Sequence, residues 1–323
     1  MHAPLHRMTL NRFAVLGRVG MDLMADPPGT RIEEARAFTT AIGGSAGNIA
    51  VALARQGAQA ALISCISDDA VGRFCAADLA RYGVDTSHLR PVAGEARNSL
   101  ALTETRAEGC QTVLYRNGAA DFALTPDQIE QIDFTPFAAL VLTGTALARD
   151  PSRSATFAAI ARARAAGAIT VLDVDYRAYS WSSRQEAAAT CLMAAQACDI
   201  TIGNDDEFAL MAGSYDEGPT LARHLATQGA LFTVYKRGAE GCTTHRPEGS
   251  FDTPIFPVTA LKPTGAGDGF MGGLLAALAQ GAPLPTAIQR GAATAAIIVS
   301  GLGCAPASPD RATLDAFLRQ HQG

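Results

Sequence analysis

Residues 139–173 read ALVLTGTALARDPSRSATFAAIARARAAGAITVLD. Two short apolar runs, Ala139 to Thr143 and Ile169 to Asp173, flank a stretch from Ser152 to Ala166 whose apolar residues recur at helical spacing. Strand, helix and strand in that succession form the crossover unit of a parallel sheet. The pattern continues downstream, with strands expected at Ile200 to Ile202 and Leu231 to Tyr235, and helices at Ser183 to Ala197 and Thr220 to Gln228. Thr125-Pro126 and Ser308-Pro309 each place a capping side chain before a proline, which predicts two further helix starts.

Upstream the rhythm changes. Ser99 to Thr105 and Thr112 to Arg116 alternate like exposed antiparallel strands around a Glu108-Gly109 turn, and Asp22 to Thr39 lacks helical periodicity. These segments predict a small sheet outside the main one. We read residues of about 20–40 and 97–118 as a lid inserted into a single domain covering 12–323.

Composition fits this reading. A chain of 323 residues with 48% hydrophobic and 18% charged residues is long enough for one large α/β domain with an appendage. With a net charge of −5 and no basic cluster, nucleic acid and anionic membrane are poor partners. The cysteines at 65, 75, 110, 191, 198, 242 and 304 contain no CxxC pair and lie mostly in apolar runs. They read as buried thiols of a cytoplasmic protein. No signal peptide and no apolar run of about 20 residues is apparent.

The chemistry is concentrated in two glycine-rich segments. Lys262-Pro263-Thr264-Gly265-Ala266-Gly267-Asp268-Gly269-Phe270 runs into the apolar helical stretch Met271 to Ala279. A glycine turn opening a helix aims backbone N–H groups and the positive helix end at one spot, where a transferring phosphoryl group could sit. An Asp in the first helical turn stands beside that spot, able to accept a hydroxyl proton. Taken alone, the segment would equally suit an ordinary loop with a capping Asp. The second segment, Gly43-Gly44-Ser45-Ala46-Gly47-Asn48, precedes a helical run from Ile49 to Arg55. It lacks the GxGxxG spacing of a dinucleotide fold, and no GKS or GKT follows any glycine cluster.

The GG…N turn near the start and GAGD near the end, in that order, resemble the two signatures of the PfkB, or ribokinase-like, family. The likeness extends from about Phe13 to Ala307. It implies a ribokinase-like three-layer α/β/α fold, with a mostly parallel central sheet and a small β-sheet lid. It implies ATP as co-substrate, Mg2+ as cofactor and Asp268 as catalytic base, with the amides of Gly265, Ala266 and Gly267 holding the phosphate. Gly17 through Asp22 is similar to the family's first strand and its substrate-binding Asp, so Asp22 joins Gly43, Gly44 and Asn48 on the sugar side. Asn204-Asp205-Asp206-Glu207 resembles the NxxE motif, which implies that Asn204 and Glu207 stand near the metal and phosphates, acting through water. That tetrapeptide also has the form of a helix cap with an acidic first turn. Lys236, Gly238, Gly241, Val258, Ala260, Leu261 and Thr264 are implied to line the nucleotide site. The family often writes DTxGAGD; here Pro263 stands in place of that Asp, which puts potassium activation in doubt. Family habit also implies a homodimer through the lid.

For the substrate, Arg177 in Leu172-Asp173-Val174-Asp175-Tyr176-Arg177-Ala178-Tyr179-Ser180-Trp181 and Arg116 in Tyr115-Arg116-Asn117 stand at the mouth of the expected site. A guanidinium fork suits a carboxylate, so an acidic sugar is expected over a neutral one. Arg97 is a further candidate that could equally flank a lid strand. Within the family these segments resemble the branch that phosphorylates 5-dehydro-2-deoxygluconate in inositol catabolism. Alternatives are a 2-keto-3-deoxygluconate kinase, a fructokinase-like enzyme or, from another class, a non-catalytic sugar-binding regulatory protein.

Overall fold

The structure is a computed structural model, describing residues 5–106, 109–261 and 264–321. Its strands are β1 (Arg12–Leu16), β2 (Gly20–Asp26), β3 (Ala37–Gly43), β4 (Gln59–Ser67), β5 (Leu89–Val92), β6 (Ser99–Thr103), β7 (Thr112–Tyr115), β8 (Ala139–Thr143), β9 (Ile169–Asp173), β10 (Ile200–Asn204), β11 (Phe232–Lys236), β12 (Cys242–Arg246) and β13 (Gly249–Thr253). Nine of them form one sheet in the order β13-β12-β11-β10-β9-β8-β1-β4-β5. Pairing is parallel from β5 to β11 and antiparallel beyond it.

Burial explains why the parallel strands were readable. Phe13 and Val15 face one side of β1, packed with the Ser45–Arg55, Ala266–Ala279 and Leu284–Val299 helices. Ala14 and Leu16 face the other, packed with the Ser152–Ala165 and Arg184–Ala197 helices. Strands buried on both faces are continuously apolar, and the crossover helices supply the two outer layers. The result is a three-layer α/β/α arrangement.

The remaining strands form a separate sheet in the order β3-β2-β6-β7. β2 pairs antiparallel with β3 and parallel with β6, and β6 pairs antiparallel with β7. The stretch from Asp22 to Thr39, lacking helical periodicity, thus lies in β2, β3 and the link between them. The turn expected at Glu108-Gly109 falls partly outside the described residues.

Some boundaries differ from the sequence reading. The helix expected from Ile49 begins at Ser45, which places Asn48 within its first turn. The strand from Ile200 continues to Asn204, and the helix expected from Thr220 begins at Gly218. Thr125 caps as expected, in a capping box with Gln128. Ser308 does not cap. Arg55 Nε and Gln56 Nε2 instead hold the carbonyls of Ser308 and Pro309 at 3.1 and 2.7 Å. The helix starts two residues later, at Arg311, where the Asp310 carboxylate accepts the Thr313 N–H at 2.8 Å. Asp310 caps as well as a serine would, and its charge adds a favourable interaction with the positive helix end.

Candidate active site

Chain order reverses around β1: its sequence successor in the sheet, β4, lies on one side, and β8, which leads to β9, β10 and β11, on the other. Ligands of open α/β sheets bind outside the carboxyl ends of strands at such a reversal. A cleft of about 670 Å³ lies there, closed on one side by residues of the small sheet, among them Asp22, Met24, Ala101, Thr103 and Leu114.

The first glycine turn connects β3 to the Ser45–Arg55 helix. Gly44 has φ +87°, and a Cβ on it would press against the Arg18 carbonyl. A Cβ on Gly43 would collide with the Asp22 carboxylate, so Gly43 allows Asp22 to approach. Asn48, buried in the first helical turn, donates from Nδ2 to Asp268 Oδ2 at 2.8 Å. Its Oδ1 is buried without a partner among the described residues.

The second turn opens the Ala266–Ala279 helix. Gly265 has φ +87°, and a Cβ there would run into Cys304 Sγ. A Cβ on Gly267 would lie 3.3 Å from Lys236 Nζ, so the lysine ammonium stands directly beside the helix N-terminus. Asp268 occupies the first turn, half-buried at the cleft wall. Burial and the nearby Asp175 charge push its carboxyl up to about 6, against the Asn48 hydrogen bond and the Arg177 and Arg18 guanidiniums.

Strand ends supply the rest. Asp173, Asn204 and Lys236 terminate β9, β10 and β11, and Asn204 is the register partner of Lys236. Asn204 caps the Asp205–Ala212 helix through a capping box with Glu207. The buried Glu207 carboxylate accepts the backbone N–H of Asn204 at 2.7 Å and of Tyr176 at 3.1 Å. The helix-cap reading of this segment is therefore real, and it fixes Glu207 at the cleft. Burial and its acidic neighbours push Asp173 up to about 8, with Lys236 pulling the other way. Burial likewise raises Glu207. Lys236 pays for its burial but is held protonated by Asp173, Glu207 and Asp268.

Of the residues singled out from sequence, Asp22, Gly44, Asn48, Arg177, Asn204, Glu207, Lys236, Gly238, Thr264, Gly265, Ala266, Gly267 and Asp268 line this one cleft. Gly43 lies behind Asp22. Gly241, at φ +84°, shapes the turn into β12. Val258, Ala260 and Leu261 are exposed on the segment leading to the second glycine turn, away from the cleft lining. Lys262 and Pro263 lie outside the described residues. Arg97 bonds to the carbonyls of Gly94 and Ala96.

Arg116 stands apart from the cleft lining. Buried, it pairs with Asp121 at 2.5 Å, donates to Ser180 Oγ at 2.7 Å and stacks over Phe122 at 4.3 Å. Its charge is spent inside the fold.

Three residues that sequence reasoning passed over stand in the cleft: Arg18, Asp173 and Asp175. Asp175 is buried at φ +36°, a conformation that non-glycine residues rarely keep outside functional sites. It accepts hydrogen bonds from Ser45 Oγ and, at 3.1 Å, from Thr145 Oγ1, and pairs with Arg177 at 2.8 Å. The available signal was the D-x-D spacing at a strand's carboxyl end.

Comparison with known proteins agrees with the geometry. The pfkB family carbohydrate kinase model matches residues 10–311. The 5-dehydro-2-deoxygluconokinase of Photobacterium profundum is 37% identical over 314 residues, covering 95% of each chain. That of Geobacillus kaustophilus is 36% identical over 315 residues, covering 96% of this chain and 94% of its own. Among solved structures, a PfkB protein from Polaromonas superposes with a TM-score of 0.81 at 29% identity, covering 94% of this chain and 99% of that one. A fructokinase with bound ATP from Xylella fastidiosa gives a TM-score of 0.86 at 22% identity, covering 97% and 99%, and so shares the fold. With both glycine turns meeting at one carboxylate and a family match running almost end to end, the chain belongs to the pfkB family of carbohydrate kinases.

Proposed function

We propose that this kinase transfers the terminal phosphoryl group of ATP to the terminal primary hydroxyl of 5-dehydro-2-deoxygluconate, in the cytoplasm, as a step of inositol catabolism. The observation that carries this reading is the Asp268 carboxylate, half-buried in the first turn of the Ala266–Ala279 helix and held by Asn48. A carboxyl near 6 is ionised at neutral pH, yet basic enough to accept a proton from the attacking alcohol. The amides of Gly265, Ala266 and Gly267, with Lys236 beside them, offset the charge of the transferring group. The orphaned Asn48 Oδ1 is an acceptor suited to a sugar hydroxyl. The acidic substrate is supported by the names of the curated relatives and by the cations at the cleft, Arg18, Arg177 and Lys236.

The donor set also fits Mg2+. The cleft's carboxylates, Asp22, Asp173, Asp175, Glu207 and Asp268, outnumber its cations, Arg18, Arg177 and Lys236, and burial drives Asp173 and Glu207 toward protonation, a cost that a hard cation would remove. No group of three potential ligands is poised to hold an ion directly among the described residues. Glu207 and Asn204 would hold it through water, and the ion would neutralise charge on the nucleotide's phosphates. In the same reading the small sheet is a lid over the sugar end. Its exposed Val113 and Tyr115 form the surface for a homodimer.

A coupled ADP-release assay over 5-dehydro-2-deoxygluconate, 2-keto-3-deoxygluconate and fructose tests the substrate. The highest kcat/KM is expected for the first. Turnover of fructose with none of either acid overturns the assignment.

A further inference from the structure

Three arginines bear on the question of an acidic substrate, and two of them already have carboxylate partners. Arg116 pairs with Asp121 and Arg177 with Asp175. Arg18, in the cleft wall, has no carboxylate within ion-pair distance among the described residues. Among the described residues its one side-chain hydrogen bond is to a neutral group: Nη1 donates to Ser99 Oγ at 3.1 Å. Its Nε is buried without a hydrogen-bond partner among the described residues. It lines the same cleft as Asp268, whose proton affinity its charge lowers slightly.

The connector that carries it is fixed on both sides. A Cβ on Gly17 would collide with Thr143 Oγ1, and one on Gly20 would lie 2.6 Å from both the carbonyl and hydroxyl oxygens of Ser99. Gly20 also pairs with Ser99 across β2 and β6. The two glycines thus let the Arg18 connector nest between β8 and the small sheet, and Ser99 orients the guanidinium. A buried N–H with nothing to bond to is costly, and a held guanidinium with an unspent charge is pre-organised for an anion.

We propose that Arg18 is the specificity-determining residue that receives the substrate's carboxylate, with Ser99 as its positioning residue. The inference rests on the sugar-acid reading above and assigns that recognition to a residue other than Arg116 or Arg177. It also separates two tasks within one cleft. Arg177, tied to Asp175, supports the reacting end, while Arg18 decides which sugars enter.

The test compares 5-dehydro-2-deoxygluconate with its methyl ester, which keeps the reacting hydroxyl and lacks the charge. The quantity read is the ratio of kcat/KM for acid over ester in wild type, Arg18→Met, Arg18→Lys and Ser99→Ala. The wild-type ratio should be about 50 or more. Arg18→Met should lower it roughly 50-fold, mainly through KM for the acid, the scale of one charged hydrogen-bonded pair. Arg18→Lys should recover part of it, since it restores charge without the fork, and Ser99→Ala should lower the ratio a few-fold. Damage to folding lowers both rates together and does not produce this pattern. A wild-type ratio kept in both Arg18 variants overturns the inference while leaving the sugar-acid kinase standing. Turnover of neutral sugars alone by the wild type overturns both.

Discussion

Asp268 derives its chemistry from where it stands, and two measurements expose that. Asp268→Asn should lower kcat by at least 1,000-fold with a small change in sugar affinity, read by steady-state kinetics and sugar titration. In wild type, kcat/KM should fall about tenfold per pH unit below about 6, where the base becomes protonated. The same shift has a stability consequence. A carboxyl whose pKa is raised on folding destabilises the folded state when ionised, fully above about 6, and the cost fades as pH falls toward the ordinary carboxylate value. Asp268→Asn should therefore melt higher than wild type at pH 8, by on the order of 1 kcal/mol because the cleft is open to water, and lose the advantage near pH 4. Arg116 makes the opposite case. Arg116→Met strands the buried Asp121 charge and should destabilise the fold by about 3–5 kcal/mol in urea unfolding, while Arg116→Met/Asp121→Asn recovers much of the loss. The contrast shows what was legible. Asp268 and the glycines around it act through their immediate succession, so the sequence displays them. Arg18 acts through Ser99, 81 positions away, and Asp175 through Ser45, 130 positions away, separations that no local pattern reports. Arg116 looked like a site residue because its partner, Asp121, is an ordinary loop carboxylate until the fold closes over both.

At the level of elements, one capping box serves two ends. Asn204 and Glu207 satisfy the first turn of the Asp205–Ala212 helix, and the same contacts hold the Glu207 carboxylate at the cleft, beside the carboxyl ends of β10 and β11. Asn204→Ala should cost about 1 kcal/mol in thermal unfolding, the usual loss for a cap. It should also reduce kcat at least tenfold, a larger loss than the folding effect explains, since the Glu207 carboxylate at the cleft loses its orientation. Equal kcat in the variant would make the box purely structural. Elements buried on both faces were readable because nothing polar interrupts them, as β8 and β9 show. β2 and β3 were legible only as a non-helical stretch of a small sheet, because each turns polar positions toward the cleft or solvent, and β2's second partner, β6, lies far along the chain. The last helix was placed two residues early because Ser308-Pro309 has the form of a start while Arg55 and Gln56 hold its carbonyls elsewhere.

For the whole molecule, the small sheet forms one wall of the cleft. If it closes over the sugar, binding should slow amide exchange in residues 97–106 and 109–116 while leaving β8 and β9 unchanged, as followed by hydrogen–deuterium exchange. Equal exchange with and without the sugar would rule out closure. The sheet is not an appendix strung on a single loop. The chain enters it from β1, leaves from β3, enters again from β5 and leaves after β7. All four crossings lie at one end of its strands, near Gly20, Gly43, Ser99 and Tyr115, so any tilt of the sheet would pivot about that margin. Were the sheet to tilt, Asp22 on β2 would travel with it while the Arg18 connector, pinned against β8, stayed as the pivot, so gripping the guest and shutting out water would be a single movement.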